Sequence, residues 1–457
     1  MKPTPMLFAA MAAFTASAAT PTPEVTSVTM RQSTTSRLVT IEYTLDNAPA
    51  VVTLDVETNA NTSAAADDPG WTSIGGEALW NATGDVWKKV GAEGGTFNGA
   101  IAWHPDHSWP DHNIPANGAR AVVTAWALDN TPDYMVVDLA AQSVVRYYPG
   151  VDFLPGSELG HTGAVTNNAA YRTSKLLMRK IMAHGVEWTM GSASGETQRR
   201  NDREMAHVVT LTNNYYIGVF EITQAQWKNI ATNSSVSAQF TVEGDMRPME
   251  RVCYNEIRNV ANATSENSAY NWPADPNPSS FLGLLRGKTG LDFDLPSEAE
   301  WEFAARSGHG SGYWSDGSPV LNTGTDANLG RLGRYGKNNP GGTAWTSGMA
   351  PSAGGTASAG SYAPSDWGLY DVHGNVWELC LDWYEADIKA NGGKVNISRS
   401  APERTLSGAS GANRAMRGGS WGDDPASSCR AAMRAGISPE NRTNGVGLRV
   451  RCRAGLQ

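Results

Sequence analysis

Short runs between residues 24 and 150 show the alternation of apolar and polar positions, with a period of two, that is typical of β-strands. The clearest runs are Arg37–Leu45, Ala50–Val56, Ala119–Leu128 and Tyr134–Leu139. Because short β-branched runs separated by turn residues favour stacked antiparallel sheets, this pattern predicts an all-β sandwich of immunoglobulin or fibronectin type over residues 24–150. Residues 151–170 are rich in glycine and asparagine and show no periodicity, which predicts a linker.

After the linker the pattern changes to short helices, short strands and long glycine-rich loops. Ser297 and Glu300 have the spacing of a helix capping box, and the aromatic and alanine positions that follow share one helical face. Glu302 and Arg306 are four residues apart, and we expect them to pair on the solvent side of that helix. A second helix is predicted to begin after Thr223.

The composition describes a globular protein with many loops. A chain of 457 residues predicts two or three domains, and 48 glycines predict extensive loops. The 16 tryptophans outnumber the 9 phenylalanines, which favours aromatic-walled loops. With a net charge of −9 and no basic run, the chain lacks the phosphate-binding surface of a nucleic-acid-binding protein.

The N-terminus has the pattern of a secretory signal peptide. Lys2 precedes the apolar run Met6–Phe14, and Ala16–Ala18 resembles a cleavage site, so residues 1–19 are predicted to be removed. The apolar run is too short to span a bilayer. We therefore expect an exported protein without a transmembrane anchor, secreted, periplasmic or held at the cell surface.

One loop in the predicted sandwich concentrates histidine and aspartate. The segment Trp103–His112 contains His104, His107 and His112 together with two aspartates. Imidazole and carboxylate groups are ligands for transition metals. The alternative is a rigid surface loop, because prolines and tryptophans alternate with the histidines.

A second loop combines oxygen donors with a tight backbone. The segment Trp367–Cys380 contains Asp371 and Glu378, with Gly374 and Asn375 between them. A calcium ion takes six to eight oxygen ligands from carboxylates and carbonyls. This loop therefore predicts calcium binding. The alternative is that the two carboxylates only hydrogen-bond to the loop.

Seven short motifs follow one another over residues 171–457: Met190–Ser192, Phe220–Thr223, Pro248–Tyr254, Leu295–Trp301, Trp367–Glu378, Arg417–Trp421 and Gly447–Arg449. In their sequence and order they resemble the formylglycine-generating enzyme family, also called sulfatase-modifying factors. The resemblance implies an α+β, C-type-lectin-like domain with few regular elements and structural calcium. The N-terminal region lies outside the resemblance.

The resemblance also implies ligands for calcium. Asp371 and Glu378 would bind through their side chains, and Gly374 and Val376 through their carbonyl oxygens. A second calcium site of the family would begin at Asn328. Its downstream acidic ligand is not evident in residues 341–360, so we do not expect that second site to be complete.

The oxidase chemistry of the family requires two copper-binding cysteines shortly after the Gly-Gly-Ser-Trp motif. Two thiolates are soft ligands that select Cu(I). Here Asp423 falls where the first cysteine would be, no cysteine stands at the second position, and Cys429 lies beyond both. Ser420 and Trp377 match residues that line the family's active site. We therefore expect no copper and assign no catalytic residue.

Four cysteines in an exported chain allow three disulfide pairings, and the alternative is free buried thiols. The resemblance implies a Cys380–Cys429 bond, which leaves Cys253 and Cys452 as the second pair.

Two functions compete at this point. The favoured one is an exported, calcium-stabilised binding or scaffold protein of the family without copper, whose partner is an exported protein or a glycan. The alternative is an active oxidase that converts a cysteine or serine of exported sulfatases to formylglycine.

Overall fold

The structure is a computed structural model that describes residues 22–140, 143–156, 164–196, 198–242, 244–260, 268–270, 272, 274–321, 324–340, 354–384, 413–423 and 425–455. The predicted signal peptide lies outside these residues. Within them, no helix is both long enough and apolar enough to cross a membrane.

The described chain is built mostly from sheets, with few helices. The strands are β1 Glu24–Gln32, β2 Val39–Asp46, β3 Ala50–Thr58, β4 Thr72–Ser73, β5 Thr83–Gly84, β6 Lys88–Val90, β7 Phe97–Trp103, β8 Ala119–Trp126, β9 Tyr134–Asp138, β10 Val145–Tyr148, β11 Lys175–Ile181, β12 Glu187–Met190, β13 His207–Thr210, β14 Tyr215–Gly218, β15 Phe293–Asp294, β16 Trp377–Trp383, β17 Arg414–Arg417, β18 Arg434–Ile437, β19 Val446–Gly447 and β20 Arg451–Arg453. The helices are α1 Pro105–Ser108, α2 Ala164–Asn167, α3 Gln224–Ile230, α4 Tyr254–Arg258, α5 Phe281–Thr289, α6 Glu298–Arg306 and α7 Leu329–Leu332, with short 3-10 turns between them.

The N-terminal part consists of two antiparallel sheets that share one apolar cluster. One sheet has the order β1-β2-β7-β5, and the other has β4-β3-β6 with β8 also paired to β3. In β2 the buried positions Val39, Ile41, Tyr43 and Leu45 alternate with more exposed ones, as the sequence predicted. Their side chains pack in the same cluster as those of β3, including Leu54.

The strand Tyr134–Leu139, which we expected in the N-terminal sandwich, belongs to a different sheet. Its described strand β9 pairs with β10 and with β11, in a six-stranded sheet of order β10-β9-β11-β14-β20-β15. Met135, Val136 and Val137 are all buried, as expected of a strand covered on both faces. Alternation along one strand cannot identify its neighbours, so the expectation was wrong for this segment.

The predicted linker is partly packed. Leu154 and Val165 are buried in the apolar cluster of the N-terminal sheets. That cluster also contains Phe220 and Tyr370, whose rings stack with centroids 5.0 Å apart. The N-terminal sheets and the C-terminal part therefore share apolar packing. Residues 157–163 lie outside the described part.

The C-terminal sheet β18-β17-β16-β19 carries the loops that were predicted to be functional. The predicted helix is α6, and its capping box is present: Ser297 accepts from the Glu300 amide while Glu300 accepts from the Ser297 amide. The second predicted helix is α3, which begins after Thr223 with its own capping box. Both predicted helix starts are confirmed. They could be predicted because a cap depends on residues within one turn.

The predicted location of the Glu302–Arg306 pair was wrong. The two side chains pair at 2.7 Å, but they are 0% and 7% exposed. Glu302 also binds Arg417 at 2.9 Å and accepts a hydrogen bond from the Gly191 amide at 2.8 Å. Segments distant in sequence cover this face of α6, and helical spacing alone gave no sign of them.

Candidate functional site

The predicted calcium loop folds tightly against two neighbouring segments. Asp371, Gly374 and Asn375 have φ angles of 57°, 95° and 61°. A β-carbon at Gly374 would lie 2.1 Å from the Arg334 carbonyl oxygen, so a larger residue would clash there. The Gly374 amide donates to the Gly418 carbonyl, and the Asn375 amide donates to the Arg334 carbonyl, both at 2.8 Å. Glycine is therefore required at position 374 by both conformation and space.

Glu378, at the start of β16, forms a buried ion pair with Arg449. The guanidinium Nη2 lies 2.7 Å from Glu378 Oε1, and Nε lies 3.0 Å from both carboxylate oxygens. The indole of Trp301 donates to Glu378 Oε2 at 2.5 Å. Arg449 also donates to the carbonyls of Gly218 and Tyr370, at 2.9 and 2.8 Å. The pair therefore joins four segments of the domain.

Two more buried carboxylates lie beside this ion pair. Asp371 Oδ2 accepts from the Gly360 amide at 2.6 Å, whereas Asp371 Oδ1 is buried without a hydrogen-bond partner among the described residues. Glu221 accepts from the Asn375 side chain at 2.6 Å and from the Val376 amide at 3.1 Å. Sequence reasoning missed Glu221, although it lies in the motif Phe220–Thr223.

Burial and neighbouring negative charge raise the pKa of Asp371 and of Glu221. Burial is the main reason that the pKa of Asp371 rises to about 6; the charge of Glu378 adds to it, and Arg449 opposes it. Burial, and then the charges of Asp371 and Glu378, raise the pKa of Glu221 well above its usual value. Arg449 is the fully buried arginine that contacts this cluster in the described part of the chain, and the three carboxylates outnumber it.

These residues fit a calcium ion. Asp371 Oδ1 is an unused oxygen, and a divalent cation would offset the excess negative charge. Glu378 offers about four lone-pair directions, and it already accepts three contacts from Arg449 and one from Trp301, so it would have to share its oxygens between calcium and these donors. Calcium binding through Asp371, Glu378 and the carbonyls of Gly374 and Val376 stays a prediction.

Asn328, where a second calcium site was predicted to begin, precedes α7. Its side chain donates to the Pro319 carbonyl at 2.8 Å. The buried neighbour Asp326 accepts four hydrogen bonds, from the amides of Leu321, Asn328 and Leu329 and from the Trp314 indole. The segment expected to complete that site includes residues 341–353, which lie outside the described part.

The two predicted pocket residues converge on Asp423. Its Oδ2 accepts from the Trp377 indole at 2.8 Å, from the Ser420 amide at 2.8 Å and from the Ser420 hydroxyl at 2.6 Å. Burial raises the pKa of the Asp423 carboxyl. Sequence reasoning named Asp423 only as a replacement for a cysteine, whereas the structure makes it the shared acceptor of this site.

The predicted disulfides are not formed, so that prediction is corrected: all four cysteines are free, buried thiols. Cys380 packs with Trp301 and Ala415, whereas Cys429 packs in a separate cluster with Trp314. Burial raises the thiol pKa of both residues well above the usual value. Each thiol is covered by its own apolar neighbours.

The second predicted pair, Cys253 and Cys452, is also not bonded. Cys452 lies in β20, opposite Tyr216 and Phe293 on the adjacent strands. Cys253 precedes α4 and is a free thiol. Its backbone amide donates to the Glu256 carboxylate at 3.2 Å. Burial is the main cause that raises the pKa of each thiol to about 12. Neutral thiols of this kind are poor metal ligands and poor nucleophiles.

Copper does not fit the residues at this site. Cu(I) prefers soft thiolate ligands, and the loop after Ser420 offers the hard carboxylate of Asp423, already occupied by three hydrogen-bond donors. Cys429 is fully buried, and its carbonyl oxygen lies 2.8 Å from Nδ1 of the buried His373.

Next to this loop lies an open cavity of about 390 Å³. Its wall combines polar and apolar surface and consists of Gln198, Arg200, Pro425, Ser427, Ser428, Arg430 and Met433. Arg430 is fixed by Glu204 and Glu196, at 2.8 and 2.5 Å. The exposed Ser427 hydroxyl donates to the Gln198 side chain across the rim at 2.8 Å. Such a cavity can accept an extended polar ligand.

Comparison with known proteins concerns the C-terminal part. Residues 170–454 match the family model described as the sulfatase-modifying factor enzyme 1-like domain. A formylglycine-generating enzyme of Thermomonospora curvata is 32% identical over 175 residues, which cover 34% of this chain and 48% of that protein. This chain therefore spans about half the length of that relative.

Two further proteins resemble the same part. A Bos taurus protein named inactive C-alpha-formylglycine-generating enzyme 2 is 24% identical over 272 residues, covering 53% of this chain and 78% of that protein. Among solved structures, PvdO from Pseudomonas aeruginosa shares 22% identity at a TM-score of 0.45, covering 61% of this chain and 94% of that chain. A TM-score of 0.45 is too low for that structure to show the fold of this chain.

Proposed function

Because this chain belongs to the sulfatase-modifying factor enzyme 1-like family, we propose that it is an exported binding or scaffold protein of that family without copper oxidase activity. Its C-terminal domain would have the C-type-lectin-like fold, stabilised by calcium. The N-terminal sheets would serve as an adhesion or spacer module. Export rests on the signal-peptide pattern in residues 1–19.

The observation that carries the proposal is the environment of Asp423. A carboxylate that accepts three hydrogen bonds from Ser420 and Trp377 holds the two side chains in place. A thiolate would have to be exposed to a metal and to oxygen, whereas this carboxylate is enclosed by its donors. This arrangement therefore favours a rigid binding surface over a redox centre.

The adjacent cavity supports a binding role. Arg200 and Ser427 line it, and guanidinium and hydroxyl groups can hydrogen-bond to a peptide or a glycan. We propose that a segment of an exported protein occupies it. The rival function, oxidation of a sulfatase cysteine or serine, is favoured by the likeness to the Thermomonospora curvata enzyme.

Copper reconstitution distinguishes the two functions. Purified protein would be incubated in air with copper and a sulfatase-derived cysteine peptide, with the Thermomonospora curvata enzyme as positive control. We expect the control to convert the cysteine to formylglycine, seen as a mass change, and this protein to leave the peptide unchanged. Copper-dependent conversion that survives Cys429→Ser would overturn the proposal.

Binding is tested with the same peptide by fluorescence polarisation. Ser427→Trp places a bulky side chain at the cavity rim and should weaken binding at least tenfold. The control Ser36→Trp changes an exposed residue of the N-terminal part and should leave the affinity within twofold. Equal affinities for all three proteins would show that the cavity is not the peptide site.

A further inference from the structure

The histidine-rich loop of the N-terminal part brings three side chains to one point. His104, Asp106 and His107 each offer one ligand atom, and these atoms all lie within 4.8 Å of one another. Across the described ranges, no other three histidine, cysteine, aspartate or glutamate side chains meet that criterion. The two imidazole rings are nearly parallel, with centroids 5.4 Å apart and an interplanar angle of 14°.

The backbone beneath these side chains is held firmly. Trp103, the last residue of β7, is buried and donates from its indole to the Ala78 carbonyl at 2.7 Å. Ser108 donates to the same carbonyl at 2.6 Å, and the Asn81 side chain donates to the His104 carbonyl at 2.8 Å. The turn is therefore fixed at both ends before any ligand binds, which lowers the ordering cost of binding.

The three ligand groups are open to solvent and have few competing contacts. Asp106 and His107 are exposed, and His104 is half-buried. Within the described part of the chain, the one polar contact among them is His107 Nε2 to Asp106 Oδ2, at 3.7 Å. That distance is too long for a direct hydrogen bond. A cation between the groups would give both imidazoles and the carboxylate a shared partner.

His112, the third histidine of the loop, is committed elsewhere. Its Nδ1 lies 2.8 Å from the Pro110 carbonyl oxygen, and its ring stacks on Trp109 with centroids 3.9 Å apart. Asp111, with a φ of 64°, turns the chain between them. His112 is therefore a matched control, because it is a histidine of the same loop that does not face the cluster.

We propose that His104, His107 and Asp106 form a site for a divalent transition metal of the zinc class. Two imidazoles and one carboxylate suit zinc, nickel and copper(II), whereas calcium prefers oxygen ligands alone. Water would complete the coordination, because three protein ligands leave a position open. The site lies outside residues 170–454 and does not depend on the proposed function.

Isothermal titration calorimetry of the full chain with zinc chloride tests the proposal. Excess calcium in the buffer fills any site built from oxygen ligands. We expect one zinc ion per chain, a Kd at least tenfold weaker in His104→Ala and in His107→Ala, and a Kd within twofold of wild type in His112→Ala. Zinc K-edge absorption of the complex should show two imidazole nitrogens. No binding, binding that survives both alanine variants, or equal weakening by His112→Ala would overturn it.

Discussion

Glu298 is the residue whose replacement we expect to destabilise the domain most clearly. It begins α6, is fully buried, and binds Arg434 at 2.5 Å and Arg417 at 2.7 Å. Although burial alone would raise its pKa, the two arginines lower the pKa of Glu298 from an ordinary value of 4.5 to about 2. Glu298→Gln keeps the size of the side chain but removes the charge that both guanidinium groups require.

The expected loss can be worked out from this pKa. A fall from 4.5 to about 2 corresponds to about 3 kcal/mol of folding free energy. Because the folded pKa is the lower one, this stability is fully present above pH 4.5 and is lost as the pH falls towards 2. Breaking a buried ion pair by removing the charge of one partner gives a similar cost, about 3–5 kcal/mol.

Urea denaturation at pH 7 and at pH 2 measures both parts of the prediction. At pH 7, Glu298→Gln should lower the free energy of unfolding by about 3 kcal/mol, whereas the control Glu42→Gln, at an exposed position of β2, should change it by less than about 0.5 kcal/mol. At pH 2 the difference between wild type and Glu298→Gln should nearly vanish. A loss under about 1 kcal/mol at pH 7, or a loss that persists at pH 2, would refute the reasoning.

Three further predictions follow from the loops around the site. A calcium chelator should lower the melting temperature of the wild type but not that of Asp371→Asn, and equal melting of the wild type with and without chelator would contradict calcium binding. Gly374→Ala should cost about 1–3 kcal/mol in urea denaturation, because its β-carbon would meet the Arg334 carbonyl at a positive φ; an unchanged midpoint would contradict this. Without reductant, a thiol reagent should label four cysteines per chain after denaturation, and none of them rapidly in the folded protein. Labelling of only two cysteines, or of none, after denaturation would show that disulfides are present.

Local features were the ones that the sequence could predict. The helices after Ser297 and Thr223 were found because a capping box involves residues within one turn. The buried face of β2 was found because its period of two is visible over eight residues. In each case the determining contacts lie within the element, so no knowledge of distant segments was needed.

Features that depend on distant partners were missed or placed wrongly. The strand β9 was placed with the N-terminal strands from its β-strand composition, yet it pairs with β11, some forty residues later. Glu302 has the spacing of a surface ion pair, but Arg417 covers it from more than a hundred positions away. Cys380 and Cys429 were paired by resemblance, whereas the structure buries the two thiols in separate apolar clusters. Spacing along the chain does not reveal which segment will cover a given side chain.

The motifs that revealed the family describe its packing more than its chemistry. The Trp367–Glu378 motif supplies the acid and the Gly447–Arg449 motif the base of one buried ion pair, and Arg417 and Glu298 form another from two further motifs. Uncompensated buried charges are costly, so these residues must occur together whenever the domain folds this way. They say nothing about the loop after Ser420, whose residues would hold a metal. A chain can therefore retain every one of these motifs whatever residue stands at position 423, so family membership predicts the architecture and leaves the reaction to be decided by that loop.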